Sequence, residues 1–122
     1  MANQDKIQFI EALKIRFKKY VVQSTYLFRL IPKTEEGKIF GRQFLRSASS
    51  AGSNYRAACR ARSAKEFYAK ISIVNEELDE SLFWMEILVE TEILEFKNVG
   101  KLMAEGSELM AIVAKARKST FK

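Results

Sequence analysis

The chain of 122 residues has no histidine, one cysteine, one proline and five glycines. Without an imidazole, the Ser-His-Asp and Cys-His arrangements of nucleophilic catalysis are excluded. The usual zinc sites need histidine or paired cysteines, so neither a structural nor a catalytic zinc is expected. Bundles that hold two irons rely on Glu-x-x-His motifs, and the missing histidine closes that route as well. The lone thiol, Cys59, cannot form an internal disulfide and suits a reducing cytoplasm. So little proline and glycine leaves few breaks and favours long helices over strands and turns. The segment MANQDKIQFIEALK carries no apolar run of signal-peptide type. No stretch reaches the roughly 18 apolar residues of a membrane span. The expectation is a soluble cytoplasmic protein that uses no cofactor, catalyses no reaction and has no membrane partner.

What the chain does have is positive charge. Lys and Arg number 21 against 15 acids, a net charge of +6. That balance suits a polyanionic partner, although surplus lysine also serves plain solubility. The charge is strongly segregated. Residues 1–75 hold fifteen bases and five acids, whereas residues 76–95 hold eight acids and no base. The acidic block can pair with the basic segments of its own subunit or of a neighbour.

Hydrophobic spacing gives four helices in a single domain spanning residues 1–122. Ile10, Leu13, Phe17, Ser24 and Ile31 recur at helical steps, with Tyr20 or Val21 and Leu27 or Phe28 between them, over about residues 5–31. Pro32 ends this helix. Thr34 followed by Glu35 and Glu36 reads as the start of a second helix, to about residue 62. Ser63 and Glu66 form the S-x-x-E signature of a capping box, opening a third helix to about residue 91. Phe67, Ile71, Val74, Leu78, Ser81, Met85 and Leu88 give it a seam at steps of four and three. A fourth helix fits about residues 98–119, with Asn98 as its cap. Four amphipathic helices with short links imply an all-α, up-down-up-down four-helix bundle.

The second helix is the chemically distinctive one. At 100° per residue, Arg42, Arg46, Arg56 and Arg60 fall within about 80° of one another, with Ser49 and Ser53 between them. Phe44, Ala48, Ala51, Tyr55 and Ala58 take the opposite side. Guanidinium forks bind phosphate well, and serine hydroxyls add donors, so this stripe is the candidate nucleic-acid surface for RNA or DNA. The competing reading is a row of salt bridges against acidic residues of a neighbouring subunit. Gly37, Gly41 and Gly52 invite close approach, either by another helix or by a phosphate backbone. Asn54, Tyr55, Phe67, Glu76, Glu80 and Trp84 are candidates for packing or for an oligomer interface. Tyr55, Phe67 and Trp84 could otherwise stack on bases.

The run LRSASSAGSNYRAACRARS, followed by KEFYAKISIVNEELDESLFWMEIL, resembles the four-helix-bundle proteins encoded in intervening sequences of bacterial 23S rRNA genes. These are also labelled S23 ribosomal proteins. The likeness covers most of the chain and is densest from Phe44 to Leu88. Gln43, Arg46, Asn54, Tyr55, Arg56, Arg60, Phe67, Glu76, Glu80 and Trp84 are among the positions that match the pattern. The resemblance implies a homopentamer. The family is also similar to the accessory variability proteins of diversity-generating retroelements, basic pentamers that bind nucleic acid and a reverse transcriptase. That likeness implies nucleic acid and a protein as further partners.

Overall fold

The computed structural model describes residues 2–122. It is all-helical, with α1 at Ala2–Leu30, α2 at Glu35–Cys59, α3 at Ala64–Glu90 and α4 at Phe96–Lys118. Each helix packs on its neighbours in a closed ring, α1 on α2, α2 on α3, α3 on α4 and α4 back on α1. Links of four or five residues join them, so successive helices run antiparallel. The result is a four-helix bundle.

The ends follow from local chemistry. The Thr34 hydroxyl accepts a hydrogen bond from the Gly37 amide at 3.1 Å, capping α2. Ser63 caps α3 in the same way, accepting from the Glu66 amide at 3.0 Å. To do so Ser63 adopts an extended backbone, φ −156° and ψ 160°. The chain must therefore leave the helix before Ser63. The amides of Arg60 and Ala61 reach back only three residues, to Ala57 and Ala58, a tightening typical of a final turn. So α2 stops at Cys59, three residues short of the spacing-based boundary, and the link is four residues long.

α4 starts at Phe96, two residues before Asn98. Asn98 sits in the first turn, exposed, and Glu95 takes the cap position without a side-chain hydrogen bond. The reason lies upstream. Glu92 is left-handed, with φ 62°, and reverses the chain sharply after α3. The Leu94 amide then bonds the Leu88 carbonyl at 3.0 Å, and the Leu94 side chain is buried. Once Leu94 is anchored, the backbone is placed to resume a helix at once.

The core is built from one stripe of each helix: Leu13, Phe17, Tyr20 and Leu27 of α1, Phe44, Ala48, Ala51 and Tyr55 of α2, Ile71 to Leu88 along the α3 seam, and Val99, Leu109 and Val113 of α4. Phe17 and Tyr55 stack with ring centres 4.3 Å apart. Small residues set how closely the helices approach. A Cβ on Gly106 would lie 2.7 Å from the Tyr20 hydroxyl, so glycine there lets α4 close over that ring. A Cβ on Gly52 would meet Val21 of α1 at 2.5 Å. It is therefore helix α1, not a phosphate backbone, that occupies the space at Gly52.

Candidate nucleic-acid interface

The outer face of α2 is where the arginines emerge. Arg42 and Arg56 are exposed on the helix, and Arg60 is exposed at its C-terminal cap. Among the described residues, no carboxylate lies within 4.0 Å of any of these three guanidinium groups. Ser49 and Ser53 lie between Arg42 and Arg56. Both serine hydroxyls donate to their own helix backbone, to the Arg46 and Ser50 carbonyls at 3.1 and 3.3 Å. With those protons engaged, the free N–H donors of this face are guanidinium groups.

Arg46 behaves differently from the other three. It reaches over the α2–α3 edge, where Nη1 donates to Glu77 at 2.9 Å and Nη2 to Glu80. The Glu77 side chain is only 15% exposed, against 47% for Arg46. The hydrogen bonds it donates to Glu77 and then to Glu80 hold the Arg46 guanidinium above its ordinary pKa. Glu80 moves the other way. The Arg46 hydrogen bond first, and the Trp84 indole second, hold its carboxyl below the ordinary glutamate range. This cluster belongs to the fold. The expected four-arginine stripe is therefore three unpaired arginines plus one committed to its own subunit's acids.

The packing candidates sort by depth. Tyr55 is buried against Phe17. Burial first, and the neighbouring Cys59 thiol second, push its hydroxyl far above the usual phenol range. A ring so placed has no free face for a base. Trp84 is half-buried, stacked on Phe40 at 5.6 Å and edge-on to Phe83 at 4.9 Å, and its indole N–H donates to Glu80 at 3.2 Å. Phe67 packs half-buried against the core. Asn54 donates from Nδ2 to the Ser50 carbonyl and hydroxyl at 2.9 and 3.1 Å. Glu76 is exposed on α3, with no cation within 4.0 Å among the described residues.

One ion pair went unanticipated. Arg16 of α1 makes a two-pronged contact with Glu105 of α4, Nε at 3.0 Å and Nη2 at 2.7 Å, and Nη2 also reaches Glu108 at 3.2 Å. Helical spacing places Arg16 off the apolar stripe of α1 but cannot say which acid of α4 stands opposite. No helix among the described residues is long and apolar enough to cross a membrane.

The model of the 23S rRNA-intervening sequence protein family matches residues 14–115. The chain belongs to that family. The match reaches into all four helices and includes the whole arginine face and the Arg46–Glu77–Glu80 cluster. A crystal structure of a Bacteroides thetaiotaomicron protein of unknown function from the S23 ribosomal protein family is similar in fold. The TM-score is 0.81 at 24% identity, over 88% of this chain and 99% of that one. Identity at that level carries the fold and no more. No curated protein matches the chain.

Proposed function

We propose that this intervening-sequence protein is a non-enzymatic, self-associating cytoplasmic bundle that binds nucleic acid, RNA first, through the outer face of α2. One observation carries the reading. Arg42, Arg56 and Arg60 stand exposed with no carboxylate of their own chain in reach among the described residues. An arginine without an internal partner keeps its full fork for phosphate. The rRNA association in the family name favours RNA as the ligand. Repetition of the face around an oligomer, the pentamer that the resemblance implies, would multiply weak contacts.

The test is binding of a labelled structured RNA at about 50–100 mM salt, where counterion release favours basic proteins. The wild-type protein should shift the RNA, and Arg42→Glu with Arg56→Glu and Arg60→Glu should abolish the shift. No shift at micromolar wild-type protein would overturn the proposal.

A second reading has its own support. Ile39 of α2 and Phe83 of α3 are 55% and 49% exposed, beside the Phe40–Trp84 stack, whose indole N–H donates to Glu80 of the Arg46 ion pair. Apolar side chains mixed with charges of both signs suit a contact with another copy or with a protein partner, a reverse transcriptase among them. In that case Ile39→Glu with Phe83→Glu would lower the oligomer mass by light scattering before it changed RNA affinity.

A further inference from the structure

α1 and α4 pack more sparsely than the other neighbouring pairs. A cleft of about 810 Å³ lies between them, on the opposite edge of the bundle from Arg46. That volume falls within the roughly 300–1,000 Å³ of ordinary ligand clefts. Its chemistry is mixed in a particular way. Lys19 lines the α1 wall, and Lys97 and Lys101 line the α4 wall. All three are exposed, and Lys19 and Lys101 have no carboxylate within 4.0 Å among the described residues. Lys97 meets exposed Glu95 at 3.8 Å. Tyr26 stands in the same cleft with 53% of its surface exposed. Gln23 and Asn98 add amide groups on the two walls.

We infer that this cleft is a binding site for a single strand of nucleic acid, separate from the α2 face and independent of the reading given to it. Lys97 and Lys101 are one turn apart, about 6 Å along the helix axis, comparable to the step between adjacent phosphates of an extended strand. Lys19 answers them from the other wall. Tyr26, half exposed with a guanidinium over one side of its ring, leaves the remaining surface for a base to stack on, the interaction that single-strand sites use without sequence preference. Its ring already has a cationic neighbour, with the Arg29 guanidinium 5.6 Å from its centre. Gln23 and Asn98 can donate to and accept from base edges. A duplex does not suit the cleft, because its bases are already stacked and its width exceeds a gap between two adjacent helices. The Arg16–Glu105 clamp bridges α1 and α4 at the lining of the cleft and fixes the spacing of its walls.

The experiment uses the full chain with a labelled U-rich RNA 12-mer, a dT 12-mer and a hairpin duplex, read by fluorescence anisotropy. Lys19→Glu with Lys101→Glu should weaken both single strands at least tenfold and leave the hairpin within twofold. The slope of log K on log salt for single strands should fall by about 1.4, at roughly 0.7 for each phosphate no longer neutralised. Tyr26→Trp should report stacking as quenching of its added fluorescence at saturating RNA, against Trp84 as a constant background. Single-strand affinity within twofold of wild type in the lysine variant, or no quenching of the added Trp, would overturn the site. If the single strands stay bound while the hairpin fails to bind, the cleft stands and the α2 proposal falls. A hairpin that dissociates only on reversing Arg56 and Arg60 supports both. If neither nucleic acid binds wild-type protein, both fall.

Discussion

The Tyr20 hydroxyl of α1 meets the Ser81 hydroxyl of α3 at 2.8 Å, across the diagonal of the bundle. Ser81 donates its own proton to the Leu78 carbonyl at 2.7 Å, so Tyr20 is the donor of the pair. Both residues are fully buried. Tyr20→Phe removes that donor but leaves Ser81 satisfied through Leu78. The loss should be about 1 kcal/mol, the net worth of one neutral hydrogen bond. Ser81→Ala should cost more, because it strands the Tyr20 hydroxyl in the core without an acceptor. The double variant should then recover part of the Ser81→Ala loss. Urea denaturation of the three variants checks the order, and a Tyr20→Phe loss equal to that of Ser81→Ala would contradict it.

The same burial predicts an alkaline limit. Desolvation pushes the Tyr20 hydroxyl from 10.0 up to about 12. Between those values the folded protein keeps a proton that the unfolded chain has released. The stabilisation is complete below about pH 10 and disappears as pH rises through about 12. Two pH units correspond to about 2–3 kcal/mol. Tyr55 is displaced in the same direction, so Tyr20→Phe should flatten the alkaline decline without removing it. Equal slopes of stability on pH in wild type and Tyr20→Phe would show that Tyr20 is not the group responsible.

Glu92 offers a gain. Its φ of 62° lies in the left-handed region, where an ordinary side chain costs about 1–2 kcal/mol and glycine almost nothing. Glu92→Gly should stabilise the protein by about 0.5–1 kcal/mol after allowing for glycine's greater freedom when unfolded. Glu92→Val should destabilise it. Thr91→Gly serves as the control, because Thr91 has φ −87° and no strain to release. A Glu92→Gly protein that melts below wild type would mean that the Glu92 side chain makes up for its backbone.

The four-helix architecture could be read from the chain because the evidence for it is local. The apolar steps from Ile71 to Leu88 and the Ser63–Glu66 pair need no knowledge of any other helix. The four-arginine stripe could be read for the same reason, since angular position around one helix is arithmetic. The fate of Arg46 could not be, because it depends on the register of α3 against α2, which brings Glu77 and Glu80 opposite it. The cleft between α1 and α4 was invisible for a related reason. Lys19 and Lys101 are far apart in sequence, and their place on facing walls of one cleft is a property of the closed ring. Asn98 misled because good caps are common residues, and the left-handed turn at Glu92 decides where α4 begins.

The arginine face can be divided experimentally along the line that the structure draws. Arg46 serves the α2–α3 contact, and Arg56 and Arg60 meet no carboxylate among the described residues. Arg46→Ala leaves Glu77 beside Glu80, two like charges with no cation between them. Because Arg46 is half exposed, solvent screens much of this, and the loss should be modest, about 0.5–1 kcal/mol. Part of the Arg46 stabilisation should also vanish at acid pH. Glu80 is held below its usual range, so its contribution is complete above the ordinary glutamate pKa and fades as pH falls through the folded value. Arg56→Glu with Arg60→Glu should leave the urea midpoint near wild type. For the proposed RNA contact, that double variant should reduce the salt slope by up to about 1.8, at roughly 0.9 per duplex phosphate released. Arg46→Ala should leave the slope unchanged in pH 7 buffer. If Arg46→Ala instead lowers the slope while stability holds, then Arg46 leaves Glu77 and Glu80 to meet the ligand, and all four arginines belong to one surface.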